Sequence, residues 1–91
     1  MILIYADLTI DLPHVTSKKG RRAILNSLKE RLGRMNASVL DLSGEYPKEA
    51  RLALAFLALT EADGRDRIMA VERWISNRYP DLCFDLDFEI L

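Results

Sequence analysis

One cysteine and one histidine are all that this 91-residue chain offers of the side chains most used as nucleophiles, general bases and soft metal ligands. Cys83 alone forms no internal disulfide, and His14 with it falls short of the ligand set a zinc site needs. A lone cysteine suits a reducing compartment, so a cytoplasmic location is the expectation. Only four glycines are present, and they build no Gly-rich phosphate loop. No stretch approaches the roughly 18–20 consecutive apolar residues of a membrane span. The N-terminal Met1-Ile2-Leu3-Ile4-Tyr5 is apolar, but it alternates, lacks a basic flank and is interrupted by Asp7, so it reads as a strand and not as a signal peptide. His14 stands beside Pro13 with no cysteine near it in sequence, which reads as a loop residue, and no enzyme, cofactor or metal is expected.

What is present is an ordinary globular composition, 49% hydrophobic and 30% charged, in a length that holds one domain, residues 1–91. The net charge of −1 hides a polarised chain. Lys18 to Arg34 holds seven basic residues against one acid, Glu30, whereas Asp81 to Leu91 holds four acids and no base. Where charges sit says more about partners than their total does.

Periodicity supplies the elements. Ile2, Ile4, Ala6, Leu8 and Ile10 recur at period two, predicting a strand that Pro13 ends. Thr16 and Ser17 offer capping hydroxyls before a helix whose Ile24, Leu25, Leu28, Leu32 and Met35 fall within about 100° of one another. Gly33 or Asn36 lies near its end. Ala37 to Leu42 predicts a second strand, and Ser43-Gly44-Glu45-Tyr46-Pro47 a turn. Arg51 to Thr60 alternates Leu52, Leu54 and Phe56 with Ala53 and Ala55 and reads as a central strand, with a helix as the competing reading because Leu and Ala favour helices. Asp63 and Asp66 open a second helix with Ile68, Val71, Ile75 and Tyr79 on one face, flanked by Trp74 and stopped by Pro80. Phe84, Leu86, Phe88 and Ile90 alternate with acids in a last strand. The order βαββαβ with right-handed crossovers is the α+β ferredoxin-like arrangement: a four-stranded antiparallel sheet, expected order 4-1-3-2, with two helices on one face.

The first turn of the first helix is the odd place. Lys18, Lys19, Arg21 and Arg22 stand where the macrodipole is positive and acids are preferred, and each forgoes or opposes about 0.3–1 kcal/mol there. Helix N–H groups, the Ser17 hydroxyl and these cations together make a phosphate site, with Gly20 allowing close approach. Lys18, Arg22 and Lys29 lie within about 40° of one another, a basic stripe along the helix that too few acids accompany for i,i+4 pairing to explain. The other reading is a solvated helix face. Ser17, Lys18, Lys19, Arg21, Arg22 and Lys29 are therefore the candidate RNA- or phosphate-binding residues.

The second sheet face, with Leu3, Tyr5, Ala53, Ala55, Leu57 and Leu59, lacks the aromatics of an RNA-recognition motif. Such a face has two readings: contact with a second copy of the chain, giving a homodimer, or a monomer that leaves small, Ala-lined strands exposed. Asp85, Asp87 and Glu89 read as charges that protect an edge strand, in preference to cation ligands.

The run Thr16-Ser17-Lys18-Lys19-Gly20-Arg21-Arg22-Ala23-Ile24-Leu25-Asn26-Ser27-Leu28-Lys29-Glu30-Arg31-Leu32, followed by Asn36-Ala37-Ser38-Val39-Leu40-Asp41-Leu42 and Ala50-Arg51-Leu52-Ala53-Leu54-Ala55, resembles the YlxP-like family of small bacterial proteins. Gly20 departs from that family's basic motif, and Glu45-Tyr46-Pro47-Lys48-Glu49 departs from its Asp-Leu-Trp-Gln-Arg stretch. The resemblance implies a ferredoxin-like fold. Genes of the family often neighbour those for translation initiation factor two and ribosome-binding factor A, which implies a role in translation or ribosome assembly. The expectation is thus a non-enzymatic protein associated with ribosomal RNA or a ribosomal subunit through its basic first helix. A dimeric protein-interaction or small-ligand regulatory module is the alternative.

Overall fold

The computed structural model describes residues 1–91, in the order β1 (Ile2–Asp11), α1 (Lys18–Arg34), β2 (Ser38–Asp41), β3 (Glu49–Ala58), α2 (Glu61–Arg78) and β4 (Cys83–Ile90). The strands form one antiparallel sheet ordered β2-β3-β1-β4, which is the expected order read from the opposite edge. The fold is ferredoxin-like, βαββαβ.

The alternation of β1 sets the core. Ile4, Ala6, Leu8 and Ile10 are fully buried. Across the ladder they meet Phe56, Leu54, Leu52 and Ala50 of β3 on one side and Ile90, Phe88, Leu86 and Phe84 of β4 on the other. Leu25, Leu28 and Leu32 of α1 and Ile68, Val71 and Ile75 of α2 close over the same face. The Leu/Ala-rich run is a strand, β3, because it sits between β2 and β1 and its alternate residues serve opposite faces.

Element ends differ from the sequence reading in three places. β2 is limited to Ser38–Asp41. β3 starts two residues earlier and ends at Ala58, because Thr60 is already committed to the next helix. That helix is capped by Thr60 and not by Asp63: the Thr60 hydroxyl accepts the Asp63 N–H at 3.1 Å, and the Asp63 carboxylate reaches back to accept the Leu59 N–H at 3.1 Å. The pair satisfies two backbone donors at once, as a capping box does. At the end of α1, Asn36 takes the left-handed conformation (φ 61°), with Ala37 N–H on Leu32 C=O and Asn36 N–H on Gly33 C=O. This is a Schellman motif with asparagine in the glycine position.

Arg67 is a structural residue that periodicity did not single out. β2 is short, so the Leu57 carbonyl at the end of β3 faces no neighbouring strand. The Arg67 guanidinium lies 4.2 Å over the Phe56 ring and donates to Leu57 C=O at 2.7 Å and to Met35 C=O, joining α2 to β3 and to the end of α1.

Candidate nucleic-acid interface

Ser17, the N-cap of α1, has extended backbone, and its hydroxyl oxygen accepts the Gly20 N–H at 3.2 Å. The first turn of α1 contains no acid, and Lys18, Lys19, Arg21 and Arg22 fill it. A Cβ at Gly20 would make only ordinary contacts, 3.5 Å to Val15 and 3.7 Å to Ser17, so close packing does not demand glycine there.

The basic residues separate into three environments. Lys19 and Arg22 are exposed and take part in no ion pair. Lys18 bonds to Glu45 in the β2–β3 loop, and Lys29 pairs with Asp41 at the end of β2 at 3.1 Å. Arg21 is 8% exposed, and its Nη1 donates to Tyr46 C=O at 2.8 Å and Glu49 C=O at 2.9 Å. Its grouping with the solvent-facing cations is therefore corrected: Arg21 is a strut between α1 and the β2–β3 loop. The reason is positional. At 100° per residue Arg21 falls between Leu28 and Leu32, inside the apolar arc of α1, a signal the helical wheel already contained. An arginine on such an arc can bury its stem only if its head finds acceptors, and the loop carbonyls supply them.

Lys18, Arg21, Arg22, Asn26, Lys29 and Asp41 line one groove of about 230 Å³ beside α1. The structure thus brings together Lys18, Arg22 and Lys29, as their spacing predicts, places Arg21 in the wall, and leaves Lys19 outside. Asn26 and Asp41 are additional lining residues. Asp41 would repel an anion, but Lys29 neutralises it: burial pushes its carboxyl up, while hydrogen bonds from Ser43 and Lys29 and the Lys29 charge bring it below the ordinary range. Lys18, by hydrogen bond and charge, likewise holds the exposed Glu45 carboxyl low. Both acids are therefore ionised at neutral pH, and each is matched by a lysine.

The acids of the last strand lie far from this groove. Asp85, Asp87 and Glu89 are exposed on β4, one edge of the sheet, whereas α1 reaches Asp41 of β2, the other edge. The one cation on the outer sheet face near them, Arg51, is bonded to Asp7 at 3.1 Å. A second cavity, about 260 Å³, lies between the β1–α1 and α2–β4 connections with Leu12, His14, Val15, Ile24, Tyr79 and Leu82 among its walls. No helix is long and apolar enough to cross a membrane.

Among solved structures, the chain is similar to a de novo designed protein, Foldit4, at 10% identity and TM-score 0.63, covering 96% of each chain. It is also similar to LFR1 1, a de novo designed protein with a ferredoxin fold, at 14% identity and TM-score 0.63, covering 98% of this chain and 86% of that one. The periplasmic domain P4 of SecDF matches at 14% identity and TM-score 0.53, over 100% of this chain and 88% of that one. At such identities these likenesses concern the fold alone. A comparison with curated proteins returns no match. The family model described as "Protein of unknown function (DUF503)" matches residues 3–87, a span that contains the whole basic helix and all the segments that resemble YlxP-like proteins. The chain belongs to the DUF503 family, whose members are known as YlxP-like.

Proposed function

We propose that this protein acts without catalysis, as an RNA-associated protein that presents the exposed start of α1 and its groove to the phosphates of ribosomal RNA, free or in a ribosomal subunit. The observation that carries this reading is the convergence of Lys18, Arg22 and Lys29 on one groove at a helix start that holds no acid. Helix N-terminal dipoles and cations act in the same direction on an anion. Asp85, Asp87 and Glu89 stand at the opposite sheet edge, and Asp41 and Glu45 beside α1 are each paired with a lysine, so the overall charge of −1 does not oppose approach from the α1 side. Base-edge readers are few here, so affinity comes from phosphate contacts and sequence preference is weak.

With Lys18 and Lys29 exchanging Glu45 and Asp41 for phosphate, they and the free Lys19 and Arg22 each neutralise one phosphate of a single strand, for a slope of log K against log salt of about −2.8 and a loss of roughly fiftyfold between 50 and 200 mM salt. Titration of ribosomal RNA fragments into the parent and into a variant with all four changed to Ala is the test. Arg21 is left in place, because its removal would disturb the fold. The parent is expected to show the steep slope and the variant a nearly flat one, while equal affinity at low salt overturns the reading.

A second reading, a homodimer through the outer sheet face, is favoured by one observation: Leu40, Leu57 and Leu3 are 62%, 57% and 40% exposed on that face. Light scattering is expected to give twice the chain mass for the parent and the single mass for Leu57→Glu. A monomeric parent would remove this reading without touching the first.

A further inference from the structure

Arg21 is only half used. It is more than nine-tenths buried, and both of its hydrogen bonds leave through Nη1. Its Nε–H is buried and has no partner. Nε–H and the adjoining Nη2 form the edge with which arginine takes a carboxylate or phosphate through two parallel bonds. Arg21 forms no salt bridge of its own: the nearby Glu45, whose carboxyl it helps to hold low, is exposed and bonded to Lys18. A buried guanidinium that makes no salt bridge and keeps an unpartnered N–H is costly unless an acceptor completes it.

The wall that Arg21 shares tells which anion. Lys18, Arg22, Asn26 and Lys29 line the same groove of about 230 Å³; Arg22 and Asn26 are unpaired there, while Lys18 and Lys29 turn to an anion by exchanging their bonds to Glu45 and to Asp41, the only acid among the lining residues. That volume is below the roughly 300–1,000 Å³ of pockets that enclose drug-sized ligands, so the site suits one compact, highly charged group. An internal phosphodiester carries one charge and two free oxygens, which leaves part of this donor set unsatisfied. A phosphate monoester carries up to two charges and three strong acceptor oxygens, enough for the arginine fork and the lysines together. We propose that the Arg21 groove is a pocket for a phosphate monoester, and that its ligand is the terminal phosphate of an RNA strand whose following phosphates run along the exposed cations of α1. This assignment of the strand end rests on the RNA reading above; the monoester pocket itself does not.

Two measurements separate the claims. In the first, the Arg21 Nε–H resonance, which burial protects from exchange, is followed by NMR while adenosine 5′-monophosphate, inorganic phosphate or adenosine is added. A saturable shift with the first two and none with adenosine is expected. Lys29→Gln is expected to weaken the monophosphate about tenfold with the fold unchanged, about the worth of one charge-assisted hydrogen bond. No shift with either phosphate, as when the fork holds only water, overturns the pocket.

In the second, one RNA oligomer is compared with a 5′-phosphate and with a 5′-hydroxyl. The phosphorylated form is expected to bind about tenfold more tightly, and Arg21→Lys, which keeps the charge but lacks the fork, to abolish the difference. Thermal melting of Arg21→Lys checks that it is folded, and Asn26→Leu, which blocks the groove without touching the loop bonds of Arg21, is expected to reduce the preference as well. Equal binding of the two oligomers removes the strand-end assignment and leaves the RNA reading standing. No binding of either oligomer, with the monophosphate still shifting Arg21, removes the RNA reading and identifies the source of the phosphate as a free nucleotide.

Discussion

Arg21→Met is expected to lower stability by about 3 kcal/mol, a large part of the roughly 5–13 kcal/mol that a 91-residue chain holds. Methionine keeps the apolar stem beside Leu25 and Leu28, so the loss isolates the head group. That head ties Tyr46 C=O and Glu49 C=O to α1, and hydrogen bonds to a charged donor contribute about 1.5–3 kcal/mol each. Without it the two carbonyls must stay unpaired or the loop must open to water. Urea denaturation measures the total, and amide exchange shows whether residues 45–49 loosen first. Arg22→Met, one residue on and exposed, is the control and is expected to stay within about 0.5 kcal/mol of the parent. Similar midpoints for the two variants would show that Arg21 is no strut.

Gly64→Ala is expected to act against helix propensity. In an open helix the exchange would add about 1 kcal/mol of stability. Here a Cβ would stand 2.0 Å from Ile4 Cδ1, 3.3 Å from Ile4 Cγ1 and 3.5 Å from Ala58 Cβ. Ile4 is fully buried in the middle of the core, so its Cδ1 has no empty space to enter, and overpacking of this kind costs about 1–3 kcal/mol. A net loss of about 2 kcal/mol is the expected result. Ile4→Val removes Cδ1 and alone costs about 0.5–1.5 kcal/mol. The double variant is therefore expected to be more stable than the two single effects sum to, and additivity in this cycle would refute the contact. The same close approach explains how α2 packs onto β1: glycine at this position lets the helix backbone settle against the sheet.

Much of the fold was legible because β1 and β4 alternate strictly and carry opposite characters on their two faces. A one-residue slip in either would turn the whole apolar set outward, so periodicity and register follow together. β3 was harder: its Leu/Ala composition suits a helix, and only its place between β2 and β1 makes strand the stable answer. The sequence alone points to Asp63 as the cap of α2, because an aspartate near a helix start can either cap or brace the cap. Thr60 caps and Asp63 braces, a division of labour that appears only when both hydrogen bonds are seen.

Of the candidate site, the sequence locates the cations and the helical wheel sets Arg21 apart from them, but it does not show their partners. Lys18, Arg22 and Lys29 share a helical face by spacing alone, and they do line one groove. Glu45 and Asp41, the acids that engage Lys18 and Lys29, are supplied from 27 and 12 positions away by the β2–β3 loop and the end of β2, distances over which no local pattern operates.

The sequence by itself determined the elements other than β3, and the polarisation of charge, because periods of two and 3.6 and the count of acids along α1 are properties of neighbouring residues. Tertiary structure decided what each cation bonds to, although the helical wheel already sets Arg21 on the apolar arc. It turned Arg21 inward onto the 46–49 carbonyls, paired two lysines with loop and strand acids, and left Lys19 and Arg22 free. Burial, counter-charge and unused donors depend on what other segments bring alongside, and those neighbours exist only once the chain has folded.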